Sequence, residues 1–158
     1  MSQSVPAEVD IVIVGGGIVG ASVAYHLAKR GATNVALFER GQLTCGTTWH
    51  AAGLVGQLRA TLNLTRLAQY TAQLYSGLGA ETGQATGFKQ TGSLAVAQTP
   101  ERLEELKRGA SMARSFGLEV DILTPGEAQR LWPLLNSADL AGAVYLPKDG
   151  QTNPVDTT

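Results

Sequence analysis

The chain has 158 residues, a length typical of about one domain with a sizeable core. Twelve basic and thirteen acidic residues give a net charge of −1, so we expect no basic surface for nucleic acid or an anionic membrane. Hydrophobic residues make up 44% and charged residues 16% of the chain, which excludes a disordered protein. The 19 glycines exceed the usual frequency of about 7% and indicate tight turns or close backbone contacts.

A single cysteine, Cys45, excludes an intramolecular disulfide and a cysteine-rich metal site, and we predict no metal site. This cysteine usage fits a reducing compartment, so we expect the cytoplasm. The uncharged stretch over residues 11–25 is too short and too rich in glycine to span a membrane. Glu8 and Asp10 precede it, where a signal peptide would carry basic residues. The sequence therefore predicts a non-secreted protein without a membrane span.

The first part of the chain has the pattern of a strand, a helix and a second strand. Residues 9–14 are apolar and mostly β-branched, which is typical of a strand buried on both faces of a parallel sheet. Helical spacing follows over residues 18–30, and Gly31 is the expected stop. Residues 35–38 form a second apolar strand. Together they predict a βαβ unit with a right-handed crossover.

A glycine-rich stretch over residues 41–56 has no sustained period and predicts a long loop. Periodicity and capping signals beyond it predict further elements. We expect helices over residues 64–78, from Pro100 to about Gly117, and from the capping box Thr124-Pro125-Gly126-Glu127 to Pro133, and strands over residues 92–97, 118–123 and 143–146.

Two features of this later part carry further expectations. The apolar stripe of Leu67, Tyr70, Leu74 and Leu78 has helical spacing, so we expect it to lie in the core. Residues 153–158 have the composition of the start of a helix. We therefore expect the chain to be part of a longer protein.

Gly15, Gly17 and Gly20 form the spacing G-x-G-x-x-G directly after a strand and at the start of a helix. The first glycine permits a tight turn, the second lets a pyrophosphate approach the backbone, and the third lets the helix pack on the strand. Glu39 lies 19 residues after Gly20, at the end of the second strand, where its carboxylate can bind a ribose 2′-hydroxyl and repel a 2′-phosphate. The pattern predicts a site for NAD or FAD rather than NADP. The alternative is a glycine-rich turn that binds nothing.

The loop from Gly46 to Leu54 supplies two threonine hydroxyls, free amides and the imidazole of His50. With the preceding GGGIVG and Glu39-Arg40-Gly41, this loop resembles the amino-terminal part of the dimethylglycine and sarcosine dehydrogenase group, within the D-amino-acid-oxidase-like flavoenzymes. The likeness continues along the chain at Leu58-Arg59-Ala60-Thr61, Glu81-Thr82-Gly83, Gly87-Phe88, Gly92-Ser93-Leu94, Trp132-Pro133-Leu134-Leu135-Asn136 and Asp149-Gly150.

The resemblance implies an α/β fold, with an incomplete Rossmann-like FAD-binding βαβ domain and the start of a mixed α+β substrate domain. The implied domains cover residues 1–90 for FAD binding, 91–147 for the beginning of the substrate domain, and 148–158 for a return toward the FAD-binding domain. Because only part of such a protein is present, we expect this chain alone to be incomplete and inactive.

The resemblance also implies FAD as the cofactor and a set of residues that contact it. In that family the histidine of the W-H-x-A-G run is joined covalently to the flavin, and His50 matches it. The residues alone allow the alternative of a buried histidine with satisfied nitrogens. The expected cofactor contacts are Gly15, Gly16, Gly17, Ile18, Val19, Gly20, Glu39, Arg40, Gly46, Thr47, Thr48, His50, Ala52, Gly53 and Leu54.

The implied reaction oxidises a small N-methylated amino acid, such as sarcosine or dimethylglycine, by hydride transfer from the N-methyl carbon to the flavin. Arg59 is a candidate for binding the substrate carboxylate, with a structural or solvated arginine as the alternative. Many members carry a folate-binding domain further along the chain. The sequence identifies neither a catalytic base nor an electron acceptor. Other amine oxidases of this fold, an NAD-dependent dehydrogenase and a non-catalytic nucleotide-binding module stay open as alternatives.

Overall fold

A computed structural model describes residues 5–158. In chain order the elements are β1 (Ile11–Val14), α1 (Ile18–Lys29), β2 (Val35–Phe38), a 3₁₀ turn (Thr48–His50), β3 (Leu54–Val55), α2 (Leu62–Thr82), β4 (Ser93–Ala97), α3 (Pro100–Ser115), β5 (Asp121–Leu123), α4 (Pro125–Leu131), β6 (Gly142–Leu146), β7 (Gly150–Gln151) and α5 (Pro154–Thr157). This is the mixed α/β structure that the sequence predicts.

The elements form two compact units. The first unit extends to Gly53 and includes Ala85–Gly87 and Asn153–Thr158. The second unit comprises Leu54–Gln84 and Phe88–Thr152. The domain ranges implied by the resemblance remain a prediction. No helix within residues 5–158 combines the length and hydrophobicity needed to cross a bilayer.

The first unit is built on the predicted strand, helix and strand. β1 and β2 are parallel, in a register that runs from Ile11 opposite Val35 to Val14 opposite Phe38, and α1 packs against both strands. Helix α1 ends at Lys29, shortly before the predicted stop. The prediction that β1 is buried on both faces is wrong within the described residues, because Val14 is 87% exposed. Within residues 5–158, β1 has a strand partner on one edge and α1 as its helical cover.

The second unit contains a three-stranded antiparallel sheet in the order β4-β6-β5, with β6 in the centre. Helix α3 packs against all three strands. Ala110 and Ala113 on α3 are buried, and these small side chains let the helix lie close to the sheet. They form the hydrophobic core with Leu118, Val120 and Val144.

The helix ends in the second unit follow the capping signals. Thr99 caps α3, with Pro100 in the first turn, and Thr124 with Glu127 forms the predicted capping box of α4. Both helices therefore begin where the sequence indicates.

The core prediction for the stripe on α2 is wrong for Leu67 and Tyr70, whereas Leu74 and Leu78 are half-buried. Leu67 and Tyr70 are 60% and 45% exposed, whereas Thr65 and Ala72 are the buried residues of the helix. The hydroxyl of Thr65 accepts the Arg59 amide at 3.1 Å. A buried polar contact thus fixes which face of α2 points inward, and hydrophobic spacing alone did not indicate it.

Candidate functional site

The glycine-rich turn between β1 and α1 has the geometry that its sequence predicts. Gly15 has a φ of +108°, in the left-handed region that favours glycine, and its amide donates to the Phe38 carbonyl at 2.8 Å. A Cβ at Gly20 would overlap the carbonyl oxygen of Gly15, so α1 reaches β1 only because residue 20 has no side chain. A Cβ at Gly17 would lie 2.9 Å from the Thr48 hydroxyl oxygen. Close packing therefore requires glycine at positions 17 and 20, whereas the positive φ favours it at position 15.

Of the backbone amides at the start of α1, some donate to protein acceptors and others have none. The Gly16 amide donates to Glu39 Oε2 at 2.8 Å, and the Ile18 amide donates to Thr48 Oγ1 at 3.0 Å. Within residues 5–158, the amides of Gly17 and Val19 have no hydrogen-bond acceptor. Unpaired amides at the positive end of a helix dipole bind phosphate groups well. The turn therefore fits a pyrophosphate.

Glu39 connects the turn to the chain that follows β2. Its Oε2 accepts the Gly16 amide, and its Oε1 accepts the Gly41 amide at 3.0 Å. These two backbone hydrogen bonds, that from Gly16 first, lower the pKa of Glu39 below its usual value. The side chain is therefore a carboxylate at neutral pH, and its remaining lone pairs can accept hydrogen bonds from ribose hydroxyls.

His50 ends the 3₁₀ turn and is exposed, so the alternative of a buried histidine is wrong. Its Nδ1 lies 3.1 Å from the Gly46 carbonyl oxygen, and its ring lies on that of Trp49 with centroids 3.8 Å apart. A carbonyl oxygen only accepts hydrogen bonds, so in the neutral ring Nδ1 carries the hydrogen and Nε2 carries the lone pair. The contacts therefore fix both the tautomer and the orientation of the ring.

Thr48 is the buried residue of the 3₁₀ turn. Its hydroxyl caps α1 in place of Gly17, which has no side chain to do so. The sequence predicts Thr48 as a cofactor contact, which stays a prediction; the structure shows that Thr48 connects the 3₁₀ turn to the glycine-rich turn.

Thr44 was missed by sequence reasoning. Its amide donates to the Gly16 carbonyl at 2.9 Å, and its φ of +69° is uncommon for a β-branched residue. Strained conformations of this kind concentrate at functional sites. No local pattern signals this one, because it arises from the contact with the glycine-rich turn.

The other predicted cofactor contacts lie at several places. Val19 is exposed in the first turn of α1, and Arg40 is exposed directly after β2. The remaining ones follow along the loop: Gly46, Thr47 and Ala52 are exposed, Gly53 is buried, and Leu54 is exposed on β3 in the second unit.

Arg59 lies in the second unit, where it lines a cleft of about 720 Å³ together with Leu58, Trp132 and Tyr145. Its Nη1 donates to the Leu58 carbonyl at 2.9 Å, and its side chain is exposed. Such a cleft offers apolar walls and one guanidinium, which can pair with a carboxylate.

Asp149 lines the same cleft and was read from the sequence only as part of a turn. It is buried, and its carboxylate accepts the Gln57 amide at 2.8 Å and the Ser93 hydroxyl at 2.6 Å. These partners lie 92 and 56 residues away, so sequence spacing could not show them. Asp149 therefore fixes two separate segments of the cleft wall.

A comparison with protein families identifies the family of the chain. The family described as "FAD dependent oxidoreductase" (DAO) matches residues 10–158. The chain therefore belongs to the DAO family of FAD-dependent oxidoreductases, and the predicted resemblance is confirmed.

Among curated relatives, the chain is 43% identical over 157 residues to mitochondrial sarcosine dehydrogenase of Mus musculus, covering 99% of this chain and 17% of that protein. It is 42% identical over 155 residues to the mitochondrial pyruvate dehydrogenase phosphatase regulatory subunit of the same organism, covering 98% of this chain and 18% of that protein. The chain thus spans less than a fifth of the length of these relatives.

A solved structure gives the same picture of the fold. Glycine oxidase from Geobacillus kaustophilus superimposes with a TM-score of 0.83 at 37% identity, covering 94% of this chain and 42% of that chain. The fold is therefore the α/β fold of FAD-dependent oxidoreductases.

Proposed function

We propose that the protein is an FAD-dependent oxidoreductase that oxidises a small N-methylated amino acid, such as sarcosine or dimethylglycine. The observation that supports FAD as the cofactor is the carboxylate of Glu39, which accepts the Gly16 and Gly41 amides and has lone pairs left for ribose hydroxyls. The substrate part rests on the 43% identity to a sarcosine dehydrogenase. Its compartment is proposed as the cytoplasm, because the chain carries one exposed, free cysteine.

Two parts of FAD have matching residues in a Rossmann-like βαβ arrangement. The amides of Gly17 and Val19 would hold the pyrophosphate, and the carboxylate of Glu39 would hold the adenosine ribose. A bound FAD would supply an acceptor for the hydride of the substrate's N-methyl carbon, and hydrolysis of the resulting substrate iminium by water would release the one-carbon unit. The other proposed contacts are Gly15, Gly16, Ile18, Gly20, Arg40, Gly46, Thr47, Thr48, Ala52, Gly53 and Leu54.

His50 is proposed to carry the flavin covalently, through Nε2. The hydrogen bond between Nδ1 and the Gly46 carbonyl occupies one ring nitrogen and leaves the lone pair on the other. Stacking on Trp49 at 3.8 Å restricts rotation of the ring. An exposed nucleophilic nitrogen in a fixed orientation is what attachment to a cofactor requires.

Arg59 is proposed to bind the substrate carboxylate in the cleft of the second unit. Its guanidinium is exposed beside apolar residues, so it can recognise the carboxylate while the apolar walls contact N-methyl groups. We expect Arg59→Ala to raise KM for sarcosine about tenfold or more, whereas Arg66→Ala on α2 leaves KM unchanged. An unchanged KM in Arg59→Ala would show that this arginine does not bind substrate.

Intact mass after denaturation tests the covalent attachment. The natively produced protein should carry the mass of one FAD less two hydrogen atoms, because forming the bond from Nε2 to the methyl carbon of the flavin ring would break one C–H bond, release two protons and pass two electrons to the ring, from which dioxygen would take them. His50→Ala should lose this mass, while the control His26→Ala on α1 should keep it, since His26 bonds the Ser22 carbonyl within its own helix. A wild-type mass without an adduct would contradict the covalent link but not FAD binding, which absorbance of the native protein measures separately.

A second candidate is a non-catalytic regulatory module, because a relative at 42% identity is named as a regulatory subunit. Another amine or amino-acid oxidase of the same fold is the third, and membership of an FAD-dependent family removes the NAD-dependent dehydrogenase. Anaerobic addition of sarcosine, dimethylglycine or glycine separates them. Bleaching of the flavin by an N-methylated substrate supports the proposal, bleaching by glycine alone supports an oxidase of other specificity, and no bleaching supports the module.

A further inference from the structure

The last helix of the chain, α5, is anchored to a distant segment of the first unit. The Asn153 amide donates to the Thr86 carbonyl at 3.3 Å, and the hydroxyl of Thr157 lies 3.2 Å from the same carbonyl oxygen and 2.7 Å from the Asn153 carbonyl oxygen. Thr157 is buried. Gly87 has a φ of +69°, and a Cβ there would lie 3.2 Å from the Cβ of Asn153. The single hydroxyl hydrogen of Thr157 is shared between the two carbonyls, so the segments are held by the Asn153 amide hydrogen bond, by this shared contact and by close packing.

The anchored helix packs against the 3₁₀ turn that ends in His50. The same turn is held from another direction, where Thr48 accepts the Ile18 amide at the start of α1. Within the turn, the His50 and Ala51 amides donate to the carbonyls of Thr47 and Thr48 at 3.2 and 3.1 Å. A three-residue 3₁₀ turn has few hydrogen bonds of its own. Its rigidity therefore depends on the elements packed around it.

We propose that Thr157 is a positioning residue for His50: by anchoring α5 to Thr86, it braces the 3₁₀ turn and holds the imidazole in place for flavin attachment. This inference rests on the proposed covalent role of His50. Thr157 lies 107 residues beyond His50 in the chain and is not one of the proposed FAD contacts. Its effect acts through the turn, so it should alter attachment much more than reversible FAD binding.

The test compares Thr157→Val with Thr158→Val in the natively produced protein. The first variant removes a hydroxyl that contacts a segment outside α5, while the Thr158 hydroxyl bonds only the Pro154 carbonyl within α5, at 2.8 Å. Three quantities are measured: hydrogen exchange of the His50 and Ala51 amides, the rate of covalent attachment when apoprotein is mixed with FAD, and the Kd for FAD before attachment. The Gly15 amide, bonded to the Phe38 carbonyl, serves as the reference for exchange.

For Thr157→Val we expect exchange of the His50 and Ala51 amides to rise about tenfold and the attachment rate to fall about tenfold, because one buried hydrogen bond is lost. The Kd for FAD and exchange at Gly15 should stay within about twofold of wild type. Thr158→Val should match wild type in all three measurements. Gly87→Ala, which crowds Asn153, should act in the same direction as Thr157→Val.

Three results would overturn the proposal. Unchanged exchange at the 3₁₀ turn in Thr157→Val would show that α5 does not brace it. An equal rise at Gly15 would show general destabilisation rather than positioning. A wild-type protein without covalent flavin would contradict the proposed attachment to His50. The intact mass would show this before any variant is made, so this result can be distinguished from failure of the positioning role of Thr157.

Discussion

The two units of the chain are stabilised by different kinds of contact. In the second unit, α3 covers an antiparallel sheet, and Val144 at its centre is 4% exposed. In the first unit, Val14 on β1 is 87% exposed, although both residues are β-branched and lie in strands. The second unit thus contains a packed core within the described chain, whereas the first has a parallel pair of strands with an open face.

What the first unit has instead is a set of specific polar contacts. Glu39, Thr48 and the glycine-rich turn are linked by hydrogen bonds between residues 23 and 30 positions apart. Backbone amides, which carry no sequence signal of their own, form most of this network. We therefore expect substitutions of buried apolar residues to lower stability, and substitutions that move the backbone amides to weaken cofactor binding.

Gly20→Ala should produce the largest effect, on the first unit. The added methyl group would overlap the Gly15 carbonyl and push α1 away from β1, so we expect FAD affinity to fall about a hundredfold or more. Flavin content and the Kd of apoprotein for FAD measure it. Gly109→Ala on α3 is the matched control, since a Cβ there meets nothing within 4 Å and alanine favours a helix by about 1 kcal/mol. Normal FAD binding by Gly20→Ala would contradict the close helix–strand contact.

A pair of valine substitutions sharpens the comparison of the two sheets. Val144→Ala should lower the free energy of unfolding by about 2 kcal/mol, because it leaves a cavity in the core. Val14→Ala should change it by no more than about 0.5 kcal/mol, since the side chain is exposed. Denaturant unfolding of both variants measures the difference. An equal loss in the two would show that the open face of β1 is covered in the intact protein.

Local signals were sufficient to predict most elements. The run VDIVIV, the glycine spacing and Glu39 predicted β1, α1 and β2, and the capping box at Thr124 predicted the start of α4. Each depends on residues close in sequence. Propensity, capping and turn chemistry therefore determined these elements without help from distant contacts.

The errors and omissions depend on polar contacts between residues that lie six to 92 positions apart in the chain. The buried face of α2 is fixed by Thr65 bonding Arg59, the cleft wall by Asp149 bonding Gln57 and Ser93, and the anchor of α5 by Thr157. Polar contacts of this kind leave no periodic pattern, so hydrophobic spacing could not reveal them. The resemblance singled out His50 as a candidate for flavin attachment, whereas the hydrogen bond that sets its tautomer is seen only in the structure.

Glu39→Gln should have an intermediate effect, confined to the nucleotide site. Backbone hydrogen bonds lower the pKa of Glu39, so the carboxylate contribution is complete above the usual glutamate pKa of about 4.3 and is lost as pH falls through the lowered value. We expect FAD affinity at neutral pH to fall about tenfold in Glu39→Gln. FAD affinity of the wild type should fall as the pH is lowered, and this fall should be smaller in Glu39→Gln.

Titration of FAD binding against pH measures this effect, with Glu101→Gln on α3 as the control. The pKa of Glu101 is also lowered, by a hydrogen bond from its own backbone amide and then by the Thr99 side chain, but it lies in the second unit. Glu101→Gln should show the same pH dependence of FAD binding as the wild type. An identical acid response in Glu39→Gln and wild type would assign the pH dependence to another group.

Thr124→Ala should give the smallest effect, on the second unit. The Thr124 hydroxyl oxygen accepts the Glu127 amide at 3.3 Å, and Glu127 Oε2 accepts the Thr124 amide at 2.8 Å. Loss of the hydroxyl should destabilise the chain by about 1 kcal/mol and raise the lowered pKa of Glu127, since the Thr124 side chain is one of its hydrogen-bond donors.

We expect the loss of stability in Thr124→Ala to leave FAD binding unchanged. Thermal unfolding should show the lower stability of Thr124→Ala, while Thr124→Ser, which keeps the hydroxyl, should remain close to wild type. The Kd for FAD should be the same in all three proteins, because the proposed phosphate and ribose contacts lie in the first unit. If FAD affinity fell in step with stability, cofactor binding would depend on the second unit's helix ends, and the roles of the two units would not be separable.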